Sequence, residues 1–276
     1  MKPFPNRSLA FQDTYHLGDQ FWEYGKVLHD DSKLNKPLNW LLTYRYAIRA
    51  MLARFLTIDK EYQELNTIGF GLCPIDEKLS SKEHNEWNII WESHAGVLFF
   101  AMDSSMECFA YAINALGVLL DPSHFFDITN EKALRKISPS QMFSDTQASS
   151  AQHLIFVARR QSFPLIFDHW NSNRILVQKI MDYHDATKHR HSAVVGQATD
   201  RHFLMLKPKQ PMGRIVFRPG YFNGQPGELV PHDEDDCLQS LTFEYYLFMT
   251  EWLQIAAQSI ASAFGHQLSS ASTSGG

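Results

Sequence analysis

The sequence is poor in cysteine. Its three cysteines, Cys73, Cys108 and Cys237, are odd in number and far apart. That excludes a disulfide framework or a thiolate zinc site and fits a reducing compartment. Long apolar runs are lacking too: "GVLFFAM" ends at Asp103, well short of the roughly 18 residues of a membrane span. The opening "MKPFPNRSLAF" has no apolar core of a secretory signal. A cytoplasmic protein with no membrane contact is expected. Strong net charge is also missing, since −5 over 276 residues gives no general attraction for phosphate backbones.

Several chemical signatures are absent as well. No Glu-x-x-His occurs, which argues against the carboxylate di-metal centres of helical bundles. The "GFG" at Gly69 to Gly71 has no accompanying phosphate-loop Lys, and no serine sits on a nucleophile elbow. No metal and no cofactor are expected.

What is present is helical periodicity. The composition, 44% hydrophobic and 20% charged, is that of an ordinary globular chain. One helix is expected from about His16 to His29, with Phe21, Trp22, Val27 and Leu28 as its apolar positions. After Pro37, residues Leu38, Leu41, Leu42, Tyr44, Ile48, Met51, Leu52 and Phe55 recur at near-helical spacing. The longest signal runs from about Glu83 to Leu120. "SDTQASSAQHLIFVARR" supplies a helix with Ser and Asp available as N-caps, and "SNRILVQKIMDYHDATKHRHSAVV" supplies another. Beyond Gly196, "HFLML" and "RIVF" read as a β-hairpin, "RPGYFNGQPGELVPHDEDD" as a surface loop, and about Asp236 to Phe264 as a last helix. The expectation is a mainly α protein: one domain over 1–268, a bundle of five or six helices with a small β-hairpin insertion at about 200–235 before the C-terminal helix. Residues 269–276 read as a disordered tail.

Two polar features interrupt this apolar pattern. On the long helix, Glu92, Asp103, Glu107, Tyr111 and Asn114 fall within roughly 100° of one another. They form either a narrow solvent face or a buried stripe facing an active site, because carboxylates buried on so apolar a helix need partners. The second feature is "IMDYHDATKHRHS", Ile180 to Ser192. If it is helical, His184, Lys188 and His191 share one face, and Asp185 and His189 form an i,i+4 pair on the next. His184 and His191 are two turns apart, too far to chelate one ion. The strip lies in a basic segment, Ala151 to Pro219, with eleven Lys and Arg against four Asp and Glu. The spacing fits Asp185 orienting His189 as a general base, with Lys188 and Arg190 neutralising phosphate. A solvated, cation-rich helix end fits it as well. The stripe residues are expected to lie near the strip. His94, His153, His169 and His202 have no partners at diagnostic spacing and read as surface or satisfied core residues.

The strip, with "YRYAIRAMLARF" and "FFAMDSSMECFAYAINALG" upstream, resembles the HEPN superfamily of small helical bundles. That family's motif is an Arg, a polar residue, and a His four to six residues beyond the Arg. "HDATKH" matches with His184, Asp185 and His189, and His184 stands where the family has Arg. The likeness covers about Leu38 to Ser192 and implies a bacterial RNA- or nucleotide-binding protein. It further implies either metal-independent ribonuclease activity, with the motif across a homodimer interface, or an inactive binding module. The catalytic candidates are His184, Asp185 and His189, and the substrate-binding candidates are Lys188, Arg190, His191 and Glu107. Two other readings stay open, a non-catalytic module that binds a protein partner and a small-molecule-binding helical bundle.

Overall fold

A computed structural model describes residues 7–30, 39–68, 81–145, 149–189, 217–222, 225–231 and 238–264. Among these the chain is mainly helical, as expected. The helices are α1 (Arg7–Asp30), α2 (Asn39–Ile68), α3 (Ser81–Leu120), α4 (Glu131–Leu134), α5 (Pro139–Phe143), α6 (Ser150–Ser162), α7 (Pro164–Ser172), α8 (Arg174–His189) and α9 (Leu238–Phe264). Six of these nine have 13 residues or more. The tail at 269–276 lies outside the described residues.

Local chemistry accounts for the helix ends. Ser149 caps α6 by accepting from the Gln152 N–H at 3.2 Å, the role its residue type suggested. Ser138 and Asn130 cap α5 and α4 in the same way. Pro164 divides α6 from α7. A proline disfavours the helical conformation in the residue before it, and Phe163 accordingly sits at φ −140°, ψ 61°. The periodicity reading passed over α4, α5 and α7 because helices of 4, 5 and 9 residues are too short to show a repeating face.

Of the hairpin expected from 202–206 and 214–217, only Phe217 is among the described residues. The strand pair that is described, β1 (Phe217–Phe222) with β2 (Gln225–Pro231), is antiparallel. Apart from Phe217, it falls in the stretch read as a surface loop. Gly, Pro and Asn mark turns, but they do not say which flanking residues pair.

The chain divides into two compact units, one of Met1–Ala53, Ser104–Arg174 and Tyr246–Gly276, the other of Arg54–Asp103 and Ile175–Tyr245. The first unit is built on aromatic packing. Trp252 lies 4.5 Å from Phe109 and 5.1 Å from Phe143, and the Tyr44 hydroxyl donates to the Phe21 carbonyl at 2.8 Å. Its 121–145 connection is tied down by polar groups. Asn114, on α3, donates to the Phe126 carbonyl and accepts from the Phe126 N–H, both at 2.9 Å. Arg159 is buried, donates to the His124 and Gln141 carbonyls, and lies 4.2 Å from the centre of the Phe126 ring. Burial pulls its guanidinium down to about 10, so it stays charged at neutral pH.

Leu41, Tyr44, Ile48, Met51, Leu52 and Phe55 are buried as expected, whereas Leu42 and Val27 are exposed. At 100° per residue, Leu42 falls off the edge of the stripe that the other α2 positions share. The Ser93–Leu120 part of α3 is long and apolar enough to cross a membrane, but 67% of its most apolar window is buried inside the protein. A core helix has the same composition.

Candidate functional site

The second unit holds two imidazole–carboxylate pairs. His94 on α3 places Nδ1 2.6 Å from Glu61 Oε2 on α2. His184 on α8 places Nδ1 2.5 Å from Asp103 Oδ2 on α3. His94 and Asp103 are nine residues apart on one helix, which puts them about 180° apart around its axis. α3 is therefore pinned on one side to α2 and on the other to α8.

The His184 pair is the more enclosed. His184 is 6% exposed and Asp103 8%. Phe99 and Phe100 on α3 meet Tyr183 and His184 on α8 in succession. Phe99 and Tyr183 are both buried, with centroids 4.8 Å apart, and Phe100 and His184 are 5.4 Å apart edge to face. Phe100 is one helical turn before Asp103, so ring and carboxylate grip the imidazole from two points of one α3 face. Arg54, on α2, sets its guanidinium 4.9 Å from the centre of the Phe100 ring. Against an ionised carboxylate, which can only accept, a neutral imidazole carries its proton on the nitrogen that faces it and its lone pair on the other. That relation, a carboxylate fixing a histidine's tautomer and angle, is what a general base requires. Among the described residues no group of three or more His, Cys, Asp and Glu side chains is placed to hold a metal ion.

No protein-family model, curated protein or solved structure matches this chain.

The residues singled out in the sequence are distributed as follows. Of the polar stripe, Asp103 meets His184, as expected. Glu107 is exposed and lies near Tyr111, whose phenol is pushed up by burial first and by Glu107 and Cys108 after it. Tyr111 donates to the Leu134 carbonyl at 2.6 Å, and Asn114 is buried on Phe126. Among the described members, Asp103, Tyr111 and Asn114 anchor different segments and Glu107 is exposed, so they do not form one continuous active-site lining. Asp185, Lys188 and His189 are in α8, with side chains outside the description, as is that of Glu92. Arg190 and His191 lie outside the described residues.

Among the other histidines, His153 contacts Asp145 at 2.8 Å and His169 contacts the Phe248 carbonyl at 3.1 Å. Both fit the reading as surface or satisfied core residues, and His202 lies outside the described residues. The sequence reading missed Glu61, Arg54 and Phe100. The pairs they enter join residues 33 to 84 positions apart, and no local spacing signals such a contact.

Proposed function

We propose that this protein binds RNA or a nucleotide and cleaves RNA without a metal, using the Asp103–His184 pair as its acid–base centre. The observation that carries this reading is the 2.5 Å contact between His184 Nδ1 and Asp103 Oδ2. A buried carboxylate beside an imidazole is costly unless the two groups serve each other, and a carboxylate that orients a histidine is the usual support of a general base. The histidine involved is the first residue of the HEPN-like strip. The surrounding 151–219 segment is basic, with eleven Lys and Arg against four Asp and Glu, which suits an anionic ligand.

In the proposed reaction, His184 Nε2, which is buried in this structure, is uncovered as RNA binds and takes the proton of a ribose 2′-hydroxyl while Asp103 holds the ring. The 2′-oxygen attacks the adjacent phosphorus. The bond from phosphorus to the 5′-oxygen breaks, and that oxygen takes a proton from His189. The products are a 2′,3′-cyclic phosphate and a free 5′-hydroxyl. Lys188 and Arg190 offset the charge that builds on the phosphate.

The test of binding is a titration with single-stranded RNA at two salt concentrations. Neutralising Lys188 and Arg190 together should reduce the slope of log K against log salt by about 1.4, at roughly 0.7 per phosphate contact. An unchanged slope would remove those two residues from the ligand site.

A second reading is favoured by a separate observation. Ile89, Ile90 and Val97 are exposed on the side of α3 that also carries Phe100, and exposed apolar clusters mark protein contacts. A non-catalytic interaction module would use that face.

A further inference from the structure

We infer that the outer face of α2 formed by Leu42, Arg45, Tyr46 and Arg49 docks an acidic segment of a partner protein. Carboxylates of that segment meet the two arginines, and an apolar side chain between them covers Tyr46 and Leu42. The inference goes beyond the RNA reading above and does not depend on it.

The four residues stand at positions i, i+3, i+4 and i+7 of one helix, so they line a single stripe. That stripe turns away from the core. Tyr44, Ile48 and Met51 on the same helix are fully buried, whereas Leu42 is 49% and Tyr46 65% exposed.

The charge of the stripe is uncompensated. Arg49 is exposed and Arg45 half-buried, and neither pairs with a carboxylate among the described residues. Two arginines four residues apart on a helix repel each other. Composition does not force this arrangement, since acidic residues outnumber basic ones in the chain. Glu23, next to Trp22 in sequence, is held instead by Lys26, whose Nζ lies 2.7 Å from each carboxylate oxygen.

Arg45 is also held in place before any partner arrives. Its guanidinium lies over the Trp22 ring of α1, 4.0 Å from the ring centre, and its Nε is enclosed with no hydrogen-bond partner. Stacking fixes the guanidinium plane and leaves the terminal amino groups to meet an acceptor from outside. A cation ordered in advance gives up less conformational freedom on binding. Arginine and tyrosine are also among the residue types that dominate protein contacts. Charge complementarity then selects the partner. Arg45 and Arg49 are about 6 Å apart along the helix axis, a spacing matched by two carboxylates one turn apart on a partner helix.

The test is a fluorescence-anisotropy titration of the full chain with three labelled synthetic helical peptides. They are identical except at two positions four residues apart, on either side of a leucine, which are both Glu, both Gln or both Lys. Wild type should bind the Glu peptide about 10-fold tighter than the Gln peptide, and the Lys peptide most weakly. Arg49→Gln and Tyr46→Ser should each weaken the Glu peptide about 5-fold. Arg49→Glu should narrow or reverse the preference for Glu over Lys, a change of selectivity that a merely structural role would not produce. Both positions are exposed, and thermal melts that match wild type exclude unfolding as the cause.

Equal affinity of wild type for the Glu and Gln peptides, or binding of neither, would overturn this inference and leave the RNA reading untouched. Glu-peptide binding that is unchanged in both Arg49→Gln and Tyr46→Ser would overturn it by placing the peptide elsewhere. If Arg49→Gln weakens single-stranded RNA and leaves the Glu peptide unaffected, the face belongs to nucleic acid and the inference falls.

Discussion

Asp103 and His184 are 81 residues apart in sequence, yet the carboxylate of one lies 2.5 Å from the imidazole of the other, with both side chains almost excluded from solvent. The contact fastens α8 to α3. The proposed acid–base role would rest on this same hydrogen bond.

The structural role predicts a large loss on removing one partner. Asp103→Ala leaves a buried imidazole without its carboxylate and should destabilise the protein by about 3–5 kcal/mol. Replacing both residues with apolar side chains of similar volume, Asp103→Leu with His184→Phe, should recover most of that loss. Urea unfolding of the two singles and the double gives the coupling. Additive losses would show that the pair does not act as a unit.

Asn114 satisfies both backbone groups of Phe126. Asn114→Leu removes a donor and an acceptor together and should cost roughly 2–3 kcal/mol. The change is read as a lower urea midpoint with an unchanged m value.

Gly117 packs so closely under Phe125 that an added Cβ would come within 2.2 Å of its ring. Gly117→Ala should destabilise by about 1–3 kcal/mol through overpacking, despite alanine's higher helix propensity. Phe125→Leu in the same chain should relieve part of that loss, and a thermal melt of the double variant checks it. Gly117→Ala melting at or above the wild-type temperature would contradict the packing described.

His169 supplies the pH prediction. Burial lowers its pKa from 6.5, against the raising effects of the Phe248 carbonyl and of Glu251. The unfolded chain therefore binds this proton more readily than the folded one, and stability at this site is full above about pH 6.5 and falls as pH drops below it. His169→Gln should flatten the decline in Tm between about pH 6.5 and 5. A decline of equal steepness in the variant would assign it to other groups.

The long helices were legible in the sequence because their apolar faces repeat over many turns, as the buried series Leu41, Tyr44, Ile48, Met51 and Phe55 demonstrates. Asp103 could be singled out as a carboxylate in an apolar stretch needing a partner. The identity of that partner could not be read, because periodicity reports which way a residue faces and not what approaches it. Asp185 is the only carboxylate that local spacing offers to a strip histidine, so the sequence by itself points to Asp185 for the orienting role. The Glu61–His94 pair was hidden for the same reason, its members 33 residues apart on different helices.

RNA cleavage in excess chelator decides whether Asp103 and His184 form an acid–base centre, with wild type compared with His184→Gln and Asp103→Asn and the product assayed for a 2′,3′-cyclic phosphate. Wild type should cleave with chelator present and leave the cyclic phosphate. Both variants should bind RNA normally but cleave at least about 10²-fold more slowly, the scale of a lost or misoriented general base. Cleavage by His184→Gln at the wild-type rate, or no cleavage of any single-stranded RNA by wild type, would contradict the Asp103–His184 acid–base centre.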